Sequence, residues 1–580
     1  MRIAAALLAV ALAASFATAH AVMLVLLVTW HAALIAMPMA AVVLGCLHAG
    51  LRDTTVLALL GLSGGGLAAF ALFWVWWASP TAGALASIAV IAASAAAIAW
   101  LGARLDRRTL RHANPLGVAA LVWIAYALFV LAFGLAPSGF QSPLGAVQHR
   151  FTHWLPNDNV LPWAFAQQIA ADRVTIPMTD TWLSSDRPPQ QTAYFLASVA
   201  SLLPRSELHY QVQSTLLQSL WVPGMWVLLK SFGLARGAIF LALAAGMFSG
   251  FAFTNGLYTW PKLFPVAYIA VAAAVVLNAT RETLSDPRIG AAVGACIALA
   301  MLCHASTIFV LVGLGAALVA LRRIPPMRFL AVAAATAFAI ALPWILYQTF
   351  VDPPGDRLLK WHLAGVTQVD LRSFAETVHD AYAAVTLEEL VQNRYANLKS
   401  LVGPPGFPQL VWYASTVGLN DQDVVALRTW QFFHIVSALG VLALAPLAWL
   451  MPRAWRKREF ASSLLLFAVC LLTVVPWVLL IFVPGGTLIH TGSLAVVCFL
   501  FSAAMLAFFA ASPWLALAAL ALHVGLTLDV YARAVPLADG ASIADYRAFG
   551  ALALMALAIT CGLLWKLSAM SDENLVERQP

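Results

Sequence analysis

Residues 116–136 read LGVAALVWIAYALFVLAFGLA, an apolar run without one charged side chain. A helix needs about 20 consecutive apolar residues to cross the hydrocarbon core of a bilayer. The strands of a membrane β-barrel alternate apolar and polar residues, and this run shows no such alternation. The stretch therefore predicts a membrane-spanning α-helix.

Runs of the same kind recur along the chain, which has 580 residues, 62% of them hydrophobic and only 10% charged. A soluble domain carries about a quarter charged residues, so composition favours a membrane protein. We predict an all-α polytopic membrane protein with about 16 transmembrane helices, within a range of 13–16. The expected spans lie near 3–19, 22–47, 54–78, 82–101, 116–136, 211–232, 237–253, 260–280, 288–303, 305–321, 329–350, 432–451, 460–483, 491–510, 513–530 and 548–569.

Two long polar segments interrupt the apolar runs and divide the chain into regions. We call 137–210 the first polar segment and 351–430 the second polar segment. Within them, 162–172 and 373–393 have the pattern of short amphipathic helices that lie on a membrane surface. The predicted regions are N-terminal helices 1–136, the first polar segment 137–210, central helices 211–350, the second polar segment 351–430, C-terminal helices 431–570 and a tail 571–580.

The distribution of charge predicts the orientation of the chain. More than half of the Lys and Arg residues lie in or beside short connections and tails, as at 104–111, 322–328 and 453–458. By the positive-inside rule that side is cytoplasmic, so both termini are cytoplasmic and both polar segments face outward. Because the basic residues mark span ends, the net charge of +7 gives no reason to expect a nucleic-acid partner. Residues 1–19 could be a cleaved signal peptide, but we favour a retained span.

The first polar segment contains Pro156-Asn157-Asp158-Asn159. Pro and Asn favour a turn, and the two amides supply donors to a carboxylate that has no cation beside it in sequence. Asp158 could then act as a general base, with Asn157 and Asn159 as substrate-binding neighbours. It could equally bind a divalent metal through oxygen, or form an Asx-turn that caps a helix beginning at Leu161.

A second motif in this segment is Trp182-Leu183-Ser184-Ser185-Asp186-Arg187-Pro188-Pro189. Asp186 and Arg187 are adjacent, so they need not pair with each other. A rigid turn that presents both suits recognition of a sugar or phosphate, and Trp182 offers a flat face for sugar stacking. The alternative is the start of a helix, because Ser-Ser-Asp shortly before Pro is also an N-cap signal.

Further basic groups occur next to predicted spans. Lys262 follows Tyr258-Thr259-Trp260-Pro261 and could meet a lipid-linked phosphate near Tyr258, or it could snorkel to the interface. The second polar segment opens with Arg357, Lys360 and His362, which could hold a phosphate or belong to an interfacial belt of Trp and cations. Two lone histidines are also expected on the outward side and are candidate site residues, His304 and His490.

The many spans, the early outward loop with its acidic turn and the outward cations resemble the GT-C superfamily. These integral-membrane glycosyltransferases use polyprenyl-phosphate sugars, and the bacterial aminoarabinose, mannosyl and galacturonosyl transferases are similar. In that family the first large outer loop carries a catalytic Asp or Glu, often within an acidic pair. The matching element here is Asn157-Asp158-Asn159, so the resemblance gives Asp158 the catalytic role. Asn159 replaces the second acid, and no cofactor is expected with certainty, although a divalent metal (Mg or Mn) is possible.

The resemblance implies an enzyme of the bacterial inner membrane with a periplasmic active site. It would transfer a sugar from a polyprenyl-phosphate or pyrophosphate donor to a hydroxyl of a glycan or lipid acceptor, with inversion, among membrane lipids. A lipid-linked sugar transporter or flippase is one alternative; the near absence of acidic residues from the predicted spans weakens it. An O-antigen-type polymerase or ligase is another, and the Arg357, Lys360 and His362 cluster fits it as well.

Overall fold

The computed structural model describes residues 18–135, 140, 142–152, 155–174, 178, 182–198, 205–403, 421–486, 495–532 and 543–570. Regular secondary structure is helical throughout these ranges. The helical class expected from the apolar runs is therefore confirmed. The expected span at 3–19 falls almost wholly outside the described residues, and so does His490.

Eight helices in the described part are long and apolar enough to cross a membrane. They are Ala19–His48, Thr54–Ala78, Pro80–Arg104, Arg107–Leu135, Met327–Val351, Arg458–Leu480, Pro513–Tyr531 and Ile543–Ala569. Four shorter apolar helices accompany them, at Phe264–Asn278, Pro287–Cys303, Thr307–Ala320 and Ala495–Ala511. Lengths and composition thus fit a polytopic membrane protein, while the finer number of about sixteen spans stays a prediction.

Two further candidate spans are bent at short breaks. Arg236–Met247 continues as Gly250–Leu257 after a bend of 59°, and Val424–Phe433 continues as Ile435–Ala448 after one of 112°. At the first break the Ser249 hydroxyl accepts from the backbone N–H of Ala252 (3.1 Å), so it caps a new helix. Counting each bent pair as one span raises the total in the described part from eight to ten.

The single span expected at 211–232 is instead two helices, Glu207–Ser219 and Trp221–Ser231. Pro223 explains the interruption, because it has no N–H to donate to the carbonyl four residues earlier. The first of these helices carries a row of buried polar side chains, among them Gln211 and Gln218. The prediction of one apolar span at 211–232 did not include this row of buried polar side chains.

The described parts of the polar segments contain short helices. They are Pro143–His149, Leu161–Ala170, Gln190–Ser198, Arg357–Ala364, Phe374–Ala383 and Leu387–Val402. The segment expected at 162–172 forms the second of these. Its apolar side chains, Phe165 and Ile169 among them, are buried, while Trp163 and Gln167 are partly exposed. Its position on a membrane surface stays a prediction. Thr192, in the helix Gln190–Ser198, donates a hydrogen bond to the carbonyl of Pro162 in this helix (3.1 Å).

The segment expected as one helix at 373–393 is two helices, Phe374–Ala383 and Leu387–Val402. Each begins with a capping box, in which the hydroxyl before the helix and a Glu three residues later satisfy each other's backbone N–H. The second box, made by Thr386 and Glu389, starts a new helix where one continuous helix was predicted.

Close packing of small residues joins helices in the interior. Gly294 of Pro287–Cys303 faces the backbone of Ala333 in Met327–Leu346, and a Cβ on it would lie 2.1 Å from the Ala333 carbonyl oxygen. Gly290, one turn earlier, lies against Phe329 of the same helix. Small residues four apart let helix backbones approach closely, which is a common way for membrane helices to associate. The connection at His304 is thereby fixed relative to the second polar segment, which follows Met327–Leu346.

Candidate functional site

The side chain of Asn159 anchors the turn that carries Asp158. Residues Asn157–Asn159 form one turn of 3-10 helix. The fully buried Asn159 side chain accepts a hydrogen bond from Gln148 Nε2 (3.0 Å) and donates one to the carbonyl of Leu144 (3.0 Å). Asn159 therefore has a structural task, whereas Asn157 lies exposed on the other side of the turn.

The carboxylate of Asp158 forms an ion pair with the guanidinium of Arg187. Both side chains are at least nine-tenths buried. The helix that follows, Leu161–Ala170, has no side-chain cap on its first turn. The alternative interpretation, in which Asp158 caps this helix, is therefore wrong, because the carboxylate is directed at a cation from 29 residues further along the chain.

Asp186 and Arg187 are neighbours in sequence but pair with different partners, as the sequence allowed. Asp186 accepts from the backbone N–H of Leu183 (2.8 Å) and from Arg357 Nη1 (2.5 Å). Burial raises the pKa of the Asp186 carboxyl, and the Leu183 N–H and the Arg357 charge oppose that shift. The guanidinium carbons of Arg187 and Arg357 lie 4.6 and 5.4 Å from the ring centroid of Trp182. The Trp182 ring therefore contacts two guanidinium groups, at distances typical of cation–π contacts.

Lys262 lies inside the protein and not at its surface. Its side chain is fully buried, and Nζ lies 3.0 Å from the centroid of the Trp260 ring. The alternative in which Lys262 snorkels to the interface is therefore wrong. Burial lowers the pKa of the Lys262 ammonium well below its ordinary value; the charge of Arg187 acts in the same direction, and that of Asp158 opposes it. These couplings put Lys262 within electrostatic reach of the Asp158–Arg187 pair.

Two histidines from other parts of the chain complete this group. Burial lowers the pKa of His362 to about 4, and the charges of Arg187 and Lys262 contribute. Burial likewise lowers the pKa of His304, again with contributions from Lys262 and Arg187. The backbone N–H of Ser306 donates to His304 Nδ1 (3.2 Å), which fixes one face of the ring. Burial thus disfavours the charged form of both imidazoles. We call Asp158, Arg187, Lys262, His304 and His362 the polar cluster.

Tyr258 connects the two chain segments that supply Lys262 and Asp158. Its hydroxyl donates to the carbonyl of Pro156, two residues before Asp158. Its ring also meets Trp260 edge to face, with centroids 5.9 Å apart. Tyr258 thus holds residues 258–263, which we call the Lys262 loop, against the turn Asn157–Asn159, which we call the Asp158 turn.

Hydrogen bonds and an ion pair join the start of the second polar segment, and Gln348 just before it, to the first polar segment. Besides the Arg357–Asp186 ion pair, Asp352 accepts from the Ser184 hydroxyl and the Ser185 N–H, and Gln348 Nε2 donates to the Ser185 carbonyl (3.0 Å). These contacts bring Arg357 and His362 to the site.

Lys360 belongs to a different place from its neighbours in sequence. Its Nζ donates to the carbonyls of Asp370 (2.7 Å) and Arg372 (2.5 Å) and lies 3.1 Å from a carboxylate oxygen of Asp356. The two hydrogen bonds and the ion pair all go to residues of the second polar segment. Lys360 therefore organises its own segment, and the expected cluster of Arg357, Lys360 and His362 is divided.

No family model, curated protein or solved structure matches the chain. In the part of the chain that the structure describes, no three of His, Cys, Asp and Glu are grouped so that they could hold a metal ion. Asp158 faces the guanidinium of Arg187, where a metal site would need another ligand.

The residues that the sequence analysis missed are mainly uncharged. Asp352 and Ser184 lie within the two polar segments. Gln191, Gln211 and Gln218 form hydrogen bonds with backbone groups in or next to the Lys262 loop. Gln211 and Gln218 stand in the sequence QVQSTLLQS at 211–219, inside a predicted span. Polar residues inside apolar spans are costly and tend to have a role, and this signal could have found them.

Proposed function

We propose that the chain is a membrane glycosyltransferase that uses a polyprenyl-phosphate or pyrophosphate sugar donor and a hydroxyl acceptor. The observation that carries the proposal is the buried Asp158–Arg187 ion pair beside the buried Lys262. A carboxylate and two basic groups lie together inside the protein, next to loops that connect apolar helices. Access of a lipid donor and a water-borne acceptor to this place is part of the proposal, and so is its outward, periplasmic location.

The charges of the cluster suit a phosphate. Arg187 and Lys262 set two basic groups against one carboxylate, and the remaining pair, Asp186 and Arg357, balances itself. Burial works against a charged Lys262, so an entering phosphate would favour its protonated form. Arg offers a planar pair of donors to phosphate oxygens, and Lys offers a point charge.

Asp158 would act as the general base of a single inverting displacement. The acceptor oxygen would bond to the anomeric carbon of the donor sugar as the bond from that carbon to the phosphate oxygen breaks. The phosphate would leave with the electron pair, and the acceptor proton would pass to Asp158. Arg187 pairs with this carboxylate, and His304 and His362, whose charged forms burial disfavours, complete the cluster.

The two alternatives receive less support. The polymerase or ligase hypothesis relied on Arg357, Lys360 and His362 acting together on a pyrophosphate. Lys360 instead donates to the carbonyls of Asp370 and Arg372 and pairs with Asp356, all within the second polar segment. The flippase hypothesis needs no base, so it gives no account of a buried carboxylate next to two basic groups. Both remain outcomes of the experiment.

The test uses the purified full-length protein in lipid nanodiscs with a panel of labelled polyprenyl-phosphate sugars and envelope-glycan acceptors. Release of free polyprenyl phosphate reports transfer, whichever acceptor is used. Asp158→Asn should lower the rate by about 10²–10⁴-fold, the usual contribution of a general base. The matched control is Asp172→Asn, an exposed residue of the same polar segment whose φ of 53° suits Asn equally.

Transfer by Asp158→Asn at the wild-type rate would overturn the general-base role. A second arm uses proteoliposomes with the labelled donor in one leaflet. If the wild-type protein moves the donor across the bilayer and releases no polyprenyl phosphate, the chain is a flippase.

A further inference from the structure

The loop that presents Lys262 connects two helices and lies wholly inside the protein. It runs from the end of Gly250–Leu257 to the start of Phe264–Asn278, and every residue from 257 to 264 is buried. The last carbonyls of one helix and the first N–H groups of the next have no partners within their own helices. With water excluded, these groups need other partners, because an unpaired buried backbone group is costly.

Three glutamine side chains supply those partners. Gln211 Nε2 donates to the carbonyl of Leu257 (2.7 Å), and Gln191 Nε2 donates to that of Thr259 (3.0 Å). At the other end, Gln218 Oε1 accepts from the backbone N–H groups of Leu263 (2.8 Å) and Phe264 (3.1 Å). A primary amide has both donors and an acceptor, so one residue type can serve both helix ends.

The arrangement has a simple origin in the sequence. Gln211 and Gln218 are seven residues apart on the helix Glu207–Ser219, so they lie on one face two turns from each other. The distance between them matches the two ends of the loop, one meeting Leu257 and the other Leu263. Gln191 comes from Gln190–Ser198, and its Nε2 also lies 2.7 Å from the Tyr210 hydroxyl.

We propose that Gln191, Gln211 and Gln218 are positioning residues that hold Lys262 at a fixed place beside the Asp158–Arg187 pair. Inside the loop, the N–H of Lys262 donates to the carbonyl of Trp260 (2.6 Å), which leaves little freedom between the anchors. Tyr258 bonds the same loop to the carbonyl of Pro156, next to the Asp158 turn. A displacement at either anchor is therefore passed to the separation of Lys262 and Asp158. The inference concerns placement and holds whichever reaction the cluster performs.

The chain provides a matched control on the same helix. Gln213 is as fully buried as the three anchors, but its Nε2 donates to the carbonyl of Tyr194 (2.7 Å) and not to a backbone group of the loop. Replacing Gln213 removes an equally buried amide and so reproduces the general cost of the substitution. Any effect of Gln218→Met that Gln213→Met lacks is specific to the loop.

The first measurement is backbone hydrogen–deuterium exchange of the full-length protein in nanodiscs. Gln218→Met should speed exchange of the Leu263 and Phe264 amides by about tenfold, the change expected for loss of one hydrogen bond, and leave distant helices as in the wild type. Gln218→Glu, which keeps an accepting oxygen, should restore the slow exchange. Gln213→Met should leave the loop unchanged.

The second measurement is NMR of lysine side chains labelled with 13C at Cε. Because Lys262 Nζ lies over the Trp260 ring, the aromatic ring current should shift its Cε protons strongly upfield; the signal is identified by its loss in Lys262→Met. Gln218→Met and Gln211→Met should move this signal toward that of an exposed lysine. If Gln218→Met does not fold, Gln211→Met carries the test. The proposal is overturned if the Lys262 signal and loop exchange stay at wild-type values, or if Gln213→Met changes both equally. Neither readout depends on sugar transfer.

Discussion

The carboxylate of Asp352 accepts a hydrogen bond from the hydroxyl of Ser184 (2.5 Å), joining the second polar segment to the first. The same oxygen accepts from the backbone N–H of Ser185 (2.9 Å). Asp352 is fully buried, so both bonds are shielded from water. They fix the 3-10 turn Ser184–Asp186, after which Arg187 reaches Asp158. The contact thus positions the polar cluster without belonging to it.

The first prediction concerns this contact. Because both bonds end on one oxygen of Asp352, Asp352→Asn can keep them, whereas Asp352→Leu removes them and leaves the Ser184 and Ser185 donors buried. We expect Asp352→Leu to lower the free energy of unfolding by about 1–3 kcal/mol. Asp352→Asn should stay within about 1 kcal/mol of the wild type. Thermal unfolding in detergent measures both, and equal losses in the two variants would show that charge, not hydrogen bonding, is what Asp352 supplies.

The second prediction is a coupling between Asp158 and Arg187. Removing one partner of a buried ion pair leaves the other charge uncompensated and typically costs about 3–5 kcal/mol. Asp158→Asn and Arg187→Met should therefore each destabilise the protein, and the double variant should be more stable than the sum of the single losses predicts. Additive losses in this double-mutant cycle would mean that the ion pair is energetically unimportant. The cycle also shows how much of any activity loss in Asp158→Asn reflects instability.

The apolar runs predicted much of the fold because hydrophobicity alone decides where a membrane helix can form. The span expected at 54–78 matches Thr54–Ala78. Breaks such as those at Leu220 and Ser249 were missed, because each depends on a single residue, Pro223 or Ser249, within a predicted span. The number of spans therefore could not be read from hydropathy.

The site was less predictable, and the reason is geometric. The motifs at Asp158, Asp186–Arg187 and Lys262 could be chosen individually because they are polar residues in an apolar chain. Which of them meet depends on how the helices pack, and no local pattern encodes that Asp158 pairs with Arg187. Lys360 shows that proximity in sequence can also mislead. Its position close to Arg357 predicted a shared role, and its contacts do not support that role.

The third prediction is a dependence of stability on pH that arises from His362. Its pKa is about 4 in the folded protein because of burial and the neighbouring charges of Arg187 and Lys262, against about 6.5 in an unfolded chain. Between these values the unfolded state binds more protons, so stability is full above about pH 6.5 and falls as the pH drops toward 4. One proton contributes a slope of at most about 1.4 kcal/mol per pH unit.

The measurement compares melting temperatures from pH 4 to 7.5 for the wild type and His362→Gln. Part of the acid-induced loss should disappear in the variant, while His304 retains its own share. The control is His379→Gln, an exposed histidine of the same polar segment, which should follow the wild-type curve. Parallel curves for His362→Gln and the wild type would contradict the prediction.

The fourth prediction is that the helix Leu387–Val402 lies with one face in the membrane interface. Its exposed large apolar side chains form a single stripe, at Leu387, Val391, Tyr395, Leu398 and Val402. The spacing of four, four, three and four residues follows one side of a helix. The stripe is continuous with Leu479 and Leu480, which are exposed at the end of the candidate span Arg458–Leu480 and line a groove with Val391. An exposed apolar surface of this kind, next to a membrane span, is expected to contact lipid.

The stripe can be tested with two adjacent positions that differ only in direction. Val391 and Gln392 are both exposed, and successive residues of a helix point about 100° apart, so Gln392 lies on the polar side. A bimane fluorophore is attached to a Cys at either position, after Cys46 and Cys561, which are partly exposed, are replaced by Ser. In nanodiscs containing brominated lipids, the label at 391 should be quenched strongly and the label at 392 weakly. Equal quenching at the two positions would show that the apolar stripe does not face the bilayer, and a stripe shielded by protein would leave both labels bright.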